Sequence, residues 1–132
     1  LHSQLDHGPV SKAAKGKERT IVRIHSQDAR KLTVSGGETV RVHNLRGACL
    51  GTALLDDSLI RGVIQMSTGA WLDATTQRDG TLMCRHGNPN MVTRDSGTSE
   101  LAQGPTAHSC LVAVTRYDQI APVEAFIPPV IE

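Results

Sequence analysis

At 132 residues the chain is long enough for one domain around one core, with roughly two-thirds of its unfolded surface buried on folding, and it leaves no room for a second domain. A formal charge of +1, from 14 basic and 13 acidic residues, sets up no single-sign field to draw in nucleic acid or an anionic membrane. Trp71, Tyr117 and Phe126 are the only aromatics, too few for a base-stacking surface, and no apolar run approaches the roughly 18 residues of a membrane span.

Cys49, Cys84 and Cys110 are far apart and odd in number, which argues against a disulfide framework and suits a reducing compartment. The cytoplasm is the expected location, or the periplasm if an export signal lies upstream. The opening LHSQLD lacks the basic flank and apolar stretch of a signal peptide and reads as the start of a piece of a longer protein.

Residues 1–19 show no sustained period. Gly8-Pro9 breaks the chain, and Lys12 to Arg19 reads as an exposed, solvated basic loop. Thr20 to His25 is a predicted strand rich in β-branched residues, and Ser26 is placed to cap a short helix with Asp28 in its first turn and Arg30 and Lys31 at its end. After Gly36-Gly37, Glu38 to His43 alternates, with Val40 and Val42 on one face. Asn44 to Gly47 then reads as a longer hairpin loop, and Ala48 to Leu55 as the partner strand.

Gly62 to Ser67 and Thr81 to Arg85 are further predicted strands, separated by a polar excursion at Asp73 to Gly80 that is expected to be exposed and mobile. Thr98 or Ser99 should cap a helix running to Gln103, stopped by Gly104 and Pro105. Cys110 to Thr115 is expected as a strand buried on both faces. From Tyr117, three prolines force an extended tail over the surface. The expected fold is mainly β with short helices, a closed or nearly closed barrel over 20–116 with a loop before it and a tail at 117–132, forming one domain over 1–132.

Cys84 and His86 share a strand face, but no second ligand pair completes a zinc set, so no intrinsic metal site is expected. His108-Ser109 lacks a nucleophile elbow, and the glycines fit neither a phosphate loop nor a dinucleotide fingerprint, so no self-contained active site is expected. Asn88, Asn90, Thr93, Gln103, Thr106 and His108, with His2, Ser3 and Gln4, offer paired donor and acceptor edges that suit a flat heterocycle such as a pterin. The competing reading is that the asparagines only close Asx-turns.

LHSQLD at 1–6, VRVHNLRGACL at 40–50, GVIQMSTGAW at 62–71 and CRHGNPNMVTRDSGTSELAQGPTAHSCLVAV at 84–114 closely resemble the C-terminal domain of the molybdopterin oxidoreductases. Within them the chain looks like the dimethyl sulfoxide, trimethylamine N-oxide and biotin sulfoxide reductase branch, most of all its biotin sulfoxide reductase side. The resemblance implies a double-psi β-barrel that lies over molybdenum bis(molybdopterin guanine dinucleotide) and contacts its pterin parts. Carried over residue by residue, those contacts fall on Leu1, His2, Ser3 and Gln4, on Asn90, and less firmly on Ala107 and His108.

The implied partners are the upstream domains of the same polypeptide and a small S- or N-oxide substrate. The chain departs from the family's pattern at Thr33-Val34-Ser35-Gly36-Gly37, on a barrel hairpin away from the binding loops. The family's serine ligand to molybdenum lies upstream of these residues, so the fragment alone is expected to be inactive and to hold cofactor weakly. A freestanding β-barrel that acts as a small subunit or interaction module is the alternative.

Overall fold

The computed structural model describes residues 3–104 and 109–125. The opening is more ordered than its sequence suggests. A 3-10 turn at Ser3–Leu5 leads into α1 (Pro9–Ala13), in which Pro9 starts the helix instead of only breaking the chain, because a first-turn N–H has no partner within the helix anyway. After β1 (Ile21–Ile24) comes α2 (Ser26–Lys31), whose cap is His25 and not Ser26: the His25 Nδ1 accepts from the Gln27 N–H at 3.1 Å. β2 (Thr39–Asn44) and β3 (Gly47–Leu55) form a tighter hairpin than expected, since Asn44 already pairs with Gly47 across Leu45 and Arg46.

β4 (Ile64–Met66) matches the predicted strand. β5 (Ala74–Thr76) occupies the stretch expected to be a mobile excursion, and it is held there by antiparallel pairing with β6 (Leu82–Cys84). A 3-10 turn at Pro89–Met91 precedes β7 (Ala113–Arg116). β7 is half exposed and not buried on both faces, and Leu111 just before it is 93% exposed, because this strand lies at the edge of the sheet.

The predicted helix to Gln103 does not form. The Ser99 hydroxyl does accept from the Ala102 N–H at 2.8 Å, as a cap would, but Thr98 Oγ1 donates to the Ala102 carbonyl and the Thr98 N–H donates to the Gly104 carbonyl. These local bonds close a polar loop in place of a helical ladder. Among the described residues no helix is long and apolar enough to cross a membrane.

β3 is the axis of the sheet and is buried through its first seven positions. One of its edges carries β2, antiparallel. Its other edge is divided between two parallel partners, β6 at Ala48–Cys49 and β1 from Thr52 to Leu55. The path through the sheet is β4-β1-β3-β2-β7, with β5 and β6 to the side. The main-chain crossing between the two parallel partners is tight: a Cβ on Gly51 would lie 2.3 Å from Val22 Cγ2 and 2.9 Å from the Thr20 carbonyl oxygen. Gly87, at φ +96°, leaves a Cβ no room either, 2.8 Å from the Leu50 carbonyl.

The core on one face consists of Val22, Ile24, Val40, Val42, Cys49, Ala53 and Cys84, closed by Ala29 of α2. Val40 and Val42 face inward as their alternation predicts. A smaller cluster of Ala48, Leu50 and Met83 packs against Tyr117 and Ala121. The mainly β class with short helices is therefore the one the chain adopts.

Candidate cofactor-binding loops and their buried anchor

Lys12 to Arg19 is only partly the solvated basic run expected: Lys12, Lys17 and Glu18 are exposed, but the Lys15 side chain and Arg19 are buried. The Lys15 and Asp6 side chains are each only 1% exposed, and the Lys15 ammonium donates to Asp6 Oδ1, to the Asp6 carbonyl at 3.3 Å and to His86 Nε2 at 2.9 Å. Asp6 Oδ2 accepts the Trp71 N–H at 2.8 Å, and His86 Nδ1 lies 3.1 Å from the Trp71 carbonyl. A lysine donating to Nε2 fixes the neutral tautomer of His86, with the proton on Nδ1 and directed at Trp71. Burial, followed by the Lys15 charge, holds the His86 pKa below its ordinary value.

This anchor joins three stretches far apart in sequence: the opening segment, the small-residue step before Trp71, and the first residue of the amide-rich loop. The indole Nε1 of Trp71 donates to the Ser3 carbonyl, and its ring stacks on His7 at 6.0 Å between centroids. The next residues along are held by a second polar network. Arg85 Nη2 donates to Asp73 Oδ1 at 2.6 Å and to Glu124 Oε2 at 2.7 Å, and Asp73 Oδ2 accepts the Glu124 N–H at 2.9 Å. Arg19 donates to the Arg85 and Ala121 carbonyls, which with the Glu124 contacts ties the described part of the tail to the sheet.

From the buried His86 the loop turns at Gly87. Asn88 Oδ1 then accepts the Asn90 N–H at 2.9 Å, and the Asn88 N–H is taken by Cys84 Sγ at 3.4 Å. Asn88 thus closes an Asx-turn, as the plainer reading of these asparagines had it. Asn90 does not: its side chain is exposed in the middle of the 3-10 turn, and its side-chain amide has no partner among the described residues.

Residues 1–111 match the family described as the molydopterin dinucleotide binding domain. The chain belongs to this family. It is 43% identical to the biotin sulfoxide reductase of Cereibacter sphaeroides over 114 residues, which cover 86% of the chain and 15% of that protein. It is 39% identical to the trimethylamine-N-oxide reductase of Vibrio cholerae over 132 residues, 98% of the chain and 16% of that protein. The chain therefore spans about 15% of the length of the curated relatives it matches. The acetylene hydratase of Pelobacter acetylenicus has the same fold, with a TM-score of 0.65 at 17% identity over 89% of the chain and 16% of that enzyme.

Of the residues expected to meet the cofactor in this dinucleotide-binding domain, Ser3, Gln4 and Asn90 are described, and all three are exposed. Leu1, His2, Ala107 and His108 lie outside the described residues. The geometry brings the opening segment to the base of the Asn90 loop, since Asp6 Oδ2 is 3.5 Å from His86 Nδ1. Gln103, offered as a further donor, is used within its own loop, donating to the Ser99 carbonyl at 3.0 Å. Cys84 is a buried acceptor for two backbone N–H groups, and among the described residues no group of three or more His, Cys, Asp or Glu could hold a metal ion. The anchor residues Asp6, Lys15 and His86 had no signal in the sequence beyond their types, because their partners are up to 71 positions away.

Proposed function

We propose that this domain covers the pterin parts of a molybdenum bis(molybdopterin guanine dinucleotide) cofactor as the C-terminal part of an S- or N-oxide reductase, with Leu1 to Gln4, Asn90, Ala107 and His108 as its contacts. The observation that carries the reading is the pairing of an exposed, unengaged Asn90 amide with a rigid base. The loop bearing it starts at His86, which is tied through Lys15 and Asp6 to the segment bearing Ser3 and Gln4. A carboxamide can donate to and accept from a pterin edge at once, and a loop held at its root loses less entropy on binding. The fit is of polar edges to an amide-like ring, and the family membership and the resemblance of the opening and HGNPN motifs support it.

The molybdenum centre, when bound, supplies the oxygen-atom transfer. The part of this chain is to orient the pterins and to keep water from one side of them. A double-psi crossing is consistent with β3 having parallel partners on both halves of one edge. Substrate, electron donor and compartment would be set by the rest of the polypeptide, with the S- or N-oxide class taken from the named relatives and the cytoplasm from the free cysteines.

The test is made in the full-length enzyme. Asn90→Ala and His2→Ala should each lower molybdenum content or oxide reduction while the circular dichroism spectrum persists. Unchanged molybdenum content and rate in both variants would overturn the assigned contacts. A start codon directly upstream of Leu1 would favour the freestanding module.

A further inference from the structure

A groove of about 660 Å³ runs between the two ends of the sheet path. Ile64 and Met66 of β4, Val112 and Val114, and Ile24 and Val42 line it, with Asp28 and the exposed Asn90 also on its wall. β4 pairs only with β1 and β7 only with β2 among the described residues. The sheet therefore curls until its two unpaired edges border one apolar trough.

The register shows which main-chain groups those edges present. Tyr117 N–H donates to the Thr39 carbonyl at 3.0 Å, so by the alternation of an antiparallel ladder Arg41 bonds with Thr115, while the backbone of Val112 and Val114 points away from β2. On the other side the Ile24 carbonyl accepts the Asp56 N–H, on the β3 side of β1. Arg23 and Gln65 are therefore the bonded pair, and the backbone of Ile64 and Met66 points away from β1. The same four residues thus put an apolar side chain into the trough and, among the described residues, an unmet N–H and C=O along its rim.

We infer that this groove is the seat of one extended β-strand, contributed by polypeptide of the parent enzyme outside these 132 residues, which pairs with the outward backbone of β4 and β7. The inference rests on the reading of the chain as part of a longer enzyme. A strand satisfies both halves of the surface, since its main chain meets the rim and its alternate apolar side chains fill the trough. A small ligand would leave the rim unpaired, and open apolar edges without proline or inward charge are an aggregation hazard that proteins cover. The relatives supply the length: the chain matches about 15% of each. Cys110, half buried and on the groove wall, is a native reporter of its occupancy.

The experiment compares the 132-residue chain with the full-length enzyme, reading residue-resolved amide exchange and alkylation of Cys110 by iodoacetamide. The inference expects exchange at Ile64, Met66 and Val114 to be at least about tenfold slower in the full-length enzyme, and Cys110 alkylation to slow by a similar factor. Gln65 and Thr115, already bonded within the sheet, are the internal comparison. A full-length enzyme that carries its molybdenum while those three amides exchange as in the short chain would overturn the strand and leave the domain reading standing. Slowed alkylation with unslowed amides means a cover other than a strand and also overturns it. Protection already present in the short chain overturns it too, in favour of a second copy if it depends on concentration, or of the chain's own residues if it does not. A gene that encodes this chain alone removes both readings.

Discussion

Lys15→Met tests the buried anchor most sharply. The substitution keeps the length of the side chain but removes its charge and its donors, leaving the 1% exposed Asp6 carboxylate, among the described residues, with the Trp71 N–H at 2.8 Å and the His86 imidazole at 3.5 Å. Breaking a buried pair by removing one partner costs about 3–5 kcal/mol. Since the Trp71 bond and a nearby imidazole remain, about 3 kcal/mol is expected at pH 7.5, a fall in Tm of roughly 12 °C for a domain of this size. Urea unfolding followed by the fluorescence of Trp71, the only tryptophan, reads it directly, with circular dichroism as the second probe of a single transition.

The pH dependence separates this account from a simple loss of packing. In the parent chain His86 has a folded pKa below its unfolded value, so between the two the unfolded state binds more protons, and stability falls as pH drops below about 6.5. Removing Lys15 takes away the charge that opposes protonation and frees Nε2, while Asp6 Oδ2 remains 3.5 Å from Nδ1. The folded pKa then rises towards its ordinary value, although burial, the larger cause of its lowering, remains, and less stability is lost through His86 as pH falls. The deficit of Lys15→Met should therefore shrink between pH 7.5 and 5.5, by at most about 1.4 kcal/mol per pH unit. His43, whose pKa is also lowered by burial and by Arg41, contributes equally to both proteins and cancels in the difference. A variant within about 0.5 kcal/mol of the parent at pH 7.5, or a deficit that stays constant with pH, would refute the network as drawn.

Other expectations concern separate parts of the fold. Gly51→Ala puts a methyl 2.3 Å from Val22 Cγ2 and should cost about 3 kcal/mol, whereas Gly62→Ala, at φ +80° with nothing within 4 Å, should cost only about 1 kcal/mol of backbone strain; equal costs in urea unfolding would contradict the tight crossing. Asn88→Ala removes the side-chain cap of the Pro89–Met91 turn and should cost about 1 kcal/mol in the same assay. The Cys49 thiol, its pKa pushed up to about 12 chiefly by burial, should resist iodoacetamide in the folded chain, with Cys110 reacting first of the three cysteines; native alkylation of Cys49 at the rate of Cys110 would count against its position in the core.

Local pattern was a sound guide wherever a segment's environment follows from its own period. Val40 and Val42 alternate with polar neighbours and are buried, and four motifs in one order carried the family. Asn90 was singled out by the resemblance and not by its local pattern, and among the described residues its side-chain amide has no partner. The reading failed where the deciding partner is remote. A lysine among Lys12, Lys17 and Arg19 looks solvated, and it is buried only because Asp6 and His86, nine and 71 positions away, supply its acceptors.

Similar competition decided the other departures. Ala74–Thr76 has no strand pattern of its own and becomes β5 because β6 offers it an edge, while 98–103 has a helix start and stop but spends its backbone groups on threonine and serine hydroxyls. Sequence by itself thus determined the class of fold, the inward face of its clearest strand and the family, since these depend on side-chain order along one segment. Tertiary structure alone decided that the opening loop rests on a buried ion network and that, among the described residues, the sheet ends in two open edges, since hydrogen bonds and charge pairs are closed by whichever groups the folded backbone brings within about 3 Å.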